Sequence, residues 1–188
     1  MSTKTNYNLA ISFFENSVKN PESLALYVGR KRYSYAELGN LARRISGWLC
    51  QKTGDVSGTV GILASRTAEA YAGVLGTLWS GKAYVPINPH TPEDRLIRIL
   101  QQTKLDALIA DQAGLDLLSD RVLENAPRRI LFGPGARPSR RALEFQGTSS
   151  ESFDGLPDEG PKRPVFVAED ELAYIIFTSG TTGIRLGK

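Results

Sequence analysis

The sequence predicts an α/β fold in which a mostly parallel sheet is covered by helices on both faces. Two observations carry this. Short apolar runs at residues 59–64, 83–87, 105–110 and 129–132 have the character of strands buried on both sides. Segments of helical periodicity lie between them, and such alternation implies parallel strands joined by right-handed crossovers. With 188 residues, 41% of them hydrophobic, the chain can build one ordinary domain with a core. A net charge of +3 with 23% charged residues excludes a disordered composition.

The elements follow in order. Leu9, Ile11, Phe13, Phe14 and Val18 recur at helical spacing, and Asn20-Pro21 closes that segment. Residues 24–28 and 32–34 read as a hairpin turned at Gly29-Arg30-Lys31. Ser34 with Glu37 has capping-box spacing for a helix whose apolar face is Leu38, Leu41, Ile45, Trp48 and Leu49. Helices are expected over 67–79, over 92–102 with Pro92 at the start, and over 115–123. Trp48 and Trp79 are expected in the core, and Cys50 is expected to pack buried or half-buried beside Leu49. Residues 133–163 hold Pro134, Pro138, Pro157 and Pro161 with several glycines and serines, which predicts a surface loop or linker. A last strand over 172–177 runs into Thr178-Ser179-Gly180-Thr181-Thr182-Gly183.

Several function classes are disfavoured. Cys50 is the one cysteine and His90 the one histidine, so neither an intrachain disulfide nor a zinc site of the usual kind can form. The basic residues Arg128, Arg129, Arg137, Arg140 and Arg141 fall around or within the Pro/Gly-rich stretch, with no interleaved aromatic stripe, so no nucleic-acid partner is expected. No run reaches a membrane span, and residues 1–8 lack a signal-peptide core. A soluble cytoplasmic protein without a membrane partner is the expectation. Asn88 and His90 follow a strand end where a crevice could open, although an exposed surface role is the simpler reading for His90. Glu93 and Asp94 suit the first turn of a helix.

The final segment carries the chemistry. Glycines allow successive backbone N–H groups to point inward and form an anion-holding nest. The hydroxyls of Thr178, Ser179, Thr181 and Thr182 add donors for phosphate oxygens. The run fits neither the Walker spacing nor the dinucleotide fingerprint. By pattern alone it is also compatible with a plain flexible turn.

The stretch from Leu172 to Gly183 closely resembles the phosphate-loop motif of the adenylate-forming superfamily. That superfamily includes acyl-CoA synthetases, luciferases and the adenylation domains of nonribosomal peptide synthetases. Tyr33-Ser34-Tyr35-Ala36-Glu37-Leu38 resembles the first core motif of peptide-synthetase adenylation domains. Residues 78–89 with Pro92-Glu93-Asp94-Arg95-Leu96 resemble the second, which favours the amino-acid-activating branch. The resemblance implies a ligase that joins ATP, with Mg2+, to a small carboxylic or amino acid. The product is an acyl-adenylate, and the acyl group passes to a thiol such as the phosphopantetheine of a carrier protein. Thr178, Ser179, Gly180, Thr181, Thr182 and Gly183 would surround the β- and γ-phosphates.

Two departures from the family pattern stand out. Family members continue with lysine, proline and lysine before the next glycine, whereas this chain has Ile184, Arg185 and Leu186 before Gly187. Arg185 and Lys188 are the candidate charge substitutes, neither in register. The family's acid pocket, magnesium-binding glutamate and catalytic lysine would also lie beyond residue 188. No catalytic or metal-binding residue is therefore assigned here.

The resemblance thus implies an α/β N-terminal subdomain over 1–132, a loop or linker over 133–163, and a strand and phosphate loop over 164–188 that opens the next subdomain. The expected function is a truncated N-terminal part of a carboxylate-activating ligase, inactive alone. The alternative is a naturally short ATP-binding or complementation module that pairs with a separate chain. The strand over 172–177, exposed at an edge, is a candidate surface for a homodimer.

Overall fold

The computed structural model describes residues 5–54, 58–177 and 184–187, and of 184–186 the backbone alone. After α1 (Ile11–Lys19) the chain makes an antiparallel hairpin of β1 (Leu24–Val28) and β2 (Lys31–Ser34), with Val28 opposite Lys31. Gly29 takes the positive φ of 62° that the two-residue turn requires. Ser34 then caps α2 (Tyr35–Thr53) with a complete capping box. Glu37 N donates to Ser34 Oγ at 3.2 Å, and Ser34 N donates to Glu37 Oε2 at 2.8 Å.

The rest forms one sheet. Its strands are β3 (Thr59–Leu63), β4 (Ala83–Ile87), β5 (Ala107–Ala110), β6 (Arg129–Phe132), β7 (Ser149–Ser152), β8 (Tyr174–Phe177) and β9 (Ile184–Gly187). In space they run β7-β6-β5-β3-β4-β8-β9, and every neighbouring pair is parallel except β8 with β9. The intervening helices are α3 (Ala68–Trp79), α4 (Glu93–Thr103), α5 (Gln112–Leu115), α6 (Asp120–Asn125) and α7 (Arg140–Glu144).

Alternation along the strands divides the core in two. Val60, Ile62, Ala107, Ile109 and Leu131 pack with α2 and α3 residues such as Ile45, Trp48, Leu49 and Ala72. Leu63, Val85, Ile87, Leu108, Ala110 and Ile130 pack with Leu96, Ile99, Leu100, Leu115, Val122 and Leu123 from α4 to α6. Helices therefore cover both faces, as the sequence predicts. Trp48 and Trp79 are buried, Cys50 is half-buried and His90 is exposed.

Three expectations change. The single helix over 115–123 is two short helices, because Asp111 caps α5 and Ser119 caps α6 through their side chains. Leu115, Leu118, Val122 and Leu123 nonetheless share one core, which is why their spacing read as continuous.

Residues 133–163 hold α7, β7 and a 3-10 turn at Phe153–Gly155, and they dock on the domain. Phe153 and Leu156 are 1% and 3% exposed. Arg44 donates to the carbonyls of Phe153 and Leu156, Arg43 pairs with Asp158, and Trp79 Nε1 donates to Pro161 O at 3.0 Å. A Cβ on Gly47 would lie 2.3 Å from Glu159 O, so only glycine admits this crossing of α2.

The strand expected at the start of another sheet is β8 of this one, and both its edges are occupied, by β4 and β9. This removes the exposed edge on which a homodimer through 172–177 was expected.

Lys52 Nζ lies 2.9 Å from Glu151 Oε1, joining α2 to β7. Burial pushes the Glu151 carboxyl up, but Lys52, the Trp48 indole and Ser149 outweigh it and hold the carboxyl below its ordinary value. Among the described residues Trp48 Nε1 has no partner at full hydrogen-bond geometry, so Lys52 is the firm contact of the carboxyl. A depressed carboxyl adds stability above its unfolded pKa and loses it as pH falls through the folded one. Lys52→Met is therefore expected to flatten the acid side of the stability–pH curve. Urea midpoints measured from pH 7 down to pH 3 check this, and an unchanged slope would contradict it.

Candidate functional site

Thr178, Ser179, Gly180, Thr181, Thr182, Gly183 and Lys188 lie outside the described residues. Their frame does not. Phe177 at the end of β8 pairs with Ile184 at the start of β9, and Ile176 pairs with Arg185. Tyr84 of β4 pairs in parallel with Tyr174 of β8, so Phe177 exits at the same edge as Ile87 of β4 and Leu63 of β3. This is the carboxyl edge of the parallel strands, where open α/β sheets take their ligands.

Two adjoining hollows open there. One, of about 290 Å³, is bounded by Asn88, His90, Arg95 and Phe177 among others. The second, of about 660 Å³, lies between the loop Ala64, Ser65, Arg66 and the segment from Pro86 to His90. Asn88 and His90 thus line a crevice at the strand ends, as their position suggested. His90 N donates to Asn88 Oδ1 at 2.8 Å, which folds the turn. Glu93 and Asp94 sit in the first turn of α4 and engage Arg121, and Glu93 also accepts from Ser119. They brace α4 against α6.

The sequence reading missed Asp111, the residue that sets one wall. It follows β5 and is 4% exposed. Its Oδ2 accepts from Ser65 N at 2.9 Å, Ser65 Oγ at 3.1 Å and Thr67 Oγ1 at 3.3 Å, and its Oδ1 accepts from Gly114 N at 2.9 Å. The loop after β3 is thereby tied to the end of β5, next to the point where β3 connects forward to β4 and β4 crosses back to β5. A Cβ on Gly114 would stand 1.9 Å from Leu63 O, so glycine is required for α5 to close over the strand. The available signal was an aspartate directly after an apolar strand with glycine three positions on, an N-cap pattern.

A larger hollow of about 690 Å³, lined by Tyr7, Asn8, Lys82 and Glu169 among others, lies at the opposite edge, where β4 and β8 begin. It is remote from the Phe177–Ile184 pair. Among the described residues no three His, Cys, Asp or Glu side chains cluster to hold a metal ion, and no helix is long and apolar enough to cross a membrane.

Fold and edge together define an α/β protein of the doubly wound kind, with two adjoining hollows outside the carboxyl ends of the strands. The chain belongs to the AMP-binding enzyme family, whose family model matches residues 13–185. Bacitracin synthase 1 of Bacillus licheniformis is 32% identical over 193 residues, covering 99% of this chain and 3% of that protein. The crystal structure of IdnL7 superposes with a TM-score of 0.75 at 27% identity, covering 93% of this chain and 34% of IdnL7. The nonribosomal peptide synthetase FmoA3, solved with AMPPNP bound, shares the fold at a TM-score of 0.70 and 24% identity, over 95% of this chain and 17% of its own. The chain therefore spans a small part of the curated relative and about a third of IdnL7.

Proposed function

We propose that these residues belong to a ligase that uses ATP to activate an amino acid as its adenylate, with Thr178 to Gly183 holding the β- and γ-phosphates. The observation that carries this is the Phe177–Ile184 pairing, which brackets the Thr/Ser/Gly stretch at the carboxyl edge of a family-matched sheet. Attack of a carboxylate on the α-phosphorus places charge on the departing pyrophosphate, and fixed N–H and O–H donors stabilise that charge. The peptide-synthetase relatives support an amino acid as substrate and a carrier-protein thiol as acceptor. Mg2+ rests on the family resemblance alone.

Coverage of about a third of IdnL7 supports a further point, that the 188 residues alone do not adenylate. A second reading, a binding module that pairs with another chain, draws on Ile184 and Leu186 standing where the family pattern has lysines. Pyrophosphate release from ATP by the purified chain with a panel of amino acids is expected to be nil, and release would refute the inactivity.

The phosphate reading is tested by binding. Thr181→Val with Thr182→Val is expected to abolish affinity for a non-hydrolysable ATP analogue, and Leu186→Lys to raise it. Affinity that ignores the threonine pair would overturn the reading, and no gain with Leu186→Lys would show that the departure is silent.

A further inference from the structure

A separate groove runs along the amino edge of the sheet, where β3, β4 and β8 begin. The hollow of about 690 Å³ there adjoins another of about 270 Å³ at Gly58 and Thr59, and Asp170, Glu171 and Leu172 line both. Leu9, Leu78, Val167 and Leu172 make its walls apolar. Tyr7 and Leu9 are exposed, as is Phe166 beside Val167. These are three of the nine large hydrophobic side chains exposed among the described residues, so apolar surface gathers at this edge, as it does at interaction sites. The groove is also held in shape. Tyr7 N donates to Val167 O at 3.0 Å, Val167 N donates to Asn6 Oδ1 at 3.0 Å, and Asn8 Nδ2 donates to Leu78 O at 2.7 Å. The lip is acidic. Glu169, Asp170 and Glu171 are exposed, and among the described residues no ion pair engages them. Of the basic groups around them, Lys82 is buried with a contact of its own, and Arg163 stands over the Phe14 ring.

We propose that this groove docks a basic amphipathic segment of a partner domain. Apolar side chains of the segment would seat between Leu9, Leu78 and Leu172, and its lysines or arginines would meet Glu169, Asp170 and Glu171. Charge complementarity selects this occupant. The chain as a whole carries +3, so a basic partner is not drawn to it in general and has this lip to find. An acidic partner would be repelled there, and a wholly apolar one would leave three carboxylates unanswered. An amphipathic helix laid in an apolar groove is a recurrent mode of recognition, and a groove tied by backbone hydrogen bonds before the partner arrives costs little to order. The inference is independent of the phosphate reading, because every residue it uses lies at the edge opposite the Phe177–Ile184 pair.

The test is fluorescence anisotropy of a labelled peptide of about 18 residues, with leucine on one helical face and lysine on the other, titrated with the 188-residue chain. Four forms are compared: parent, the double variant Glu169→Lys with Glu171→Lys, Leu9→Ser, and Asp116→Lys. Asp116 is an exposed acid just after α5, at the carboxyl edge. The parent is expected to bind, and rising salt to weaken it. The double variant should bind about tenfold more weakly, Leu9→Ser a few-fold more weakly, and Asp116→Lys like the parent. A peptide with glutamate in place of lysine should not bind. No binding by the parent, or parent-like binding by the double variant, overturns the inference. An equal loss in Asp116→Lys also overturns it, since the attraction would then be one of overall charge. If light scattering of the chain alone shows a dimer that the double variant abolishes, the groove belongs to a second copy and the peptide partner is overturned. The acids of the lip are exposed and unpaired, so a urea midpoint equal to the parent's is expected and separates loss of binding from loss of fold.

Discussion

Asp111→Ala is expected to lower the free energy of unfolding by about 3 kcal/mol. The carboxylate accepts from two backbone N–H groups and two hydroxyls. Of these, Gly114 N is buried and has no ready access to water, and α5 loses its cap. Ser65 lies at the surface and can be rehydrated, which keeps the loss below the sum of four bonds. Asp111→Asn keeps one acceptor oxygen and should lose about half as much. Urea denaturation measures both. A midpoint for Asp111→Ala equal to the parent's would show that the loop after β3 holds itself.

Trp48→Ala is expected to cost about 4 kcal/mol. The side chain is 1% exposed and packs among Val60, Ile62, Phe153 and Leu156, so its loss opens a cavity between α2, the sheet and the docked 153–156 turn. For a chain of this length that corresponds to a fall in melting temperature of roughly 10 °C. Trp48→Phe should cost much less, since the indole Nε1 makes no hydrogen bond by geometry and the phenyl ring fills most of the space. Calorimetry on the two variants separates packing from polarity. A phenylalanine variant as damaged as the alanine one would mean that the indole nitrogen, through Glu151, does more than geometry indicates.

What the sequence made legible follows from locality. The hairpin, the Ser34–Glu37 box and the apolar runs that became β3 to β6 are all set by residues within a few positions of one another, and they appear where expected. The docked segment 149–163 did not announce itself. Its prolines and glycines are what a loop requires, while its anchors, Arg43, Arg44, Gly47 and Trp79, lie far away along the chain. Membership of β8 in the first sheet was hidden for the same reason, since it depends on pairing with β4 across an interval of about ninety residues. At the site, the Thr/Ser/Gly stretch was readable as a motif. Asp111, Arg66 and His90 become neighbours only when β3, β4 and β5 are laid side by side.

Because Phe177 faces Ile184 across an antiparallel pair, the two ends of the intervening stretch are held about 5 Å apart by the sheet itself. Closing a chain segment carries an entropic cost wherever it is done. Here the cost of bringing those two ends together belongs to folding and not to the arrival of a ligand. If residues 178–183 hold phosphates as proposed, substitutions that weaken β8–β9 pairing should therefore slow association with polyphosphate while leaving the contacts of the bound state, and so its dissociation rate, nearly unchanged.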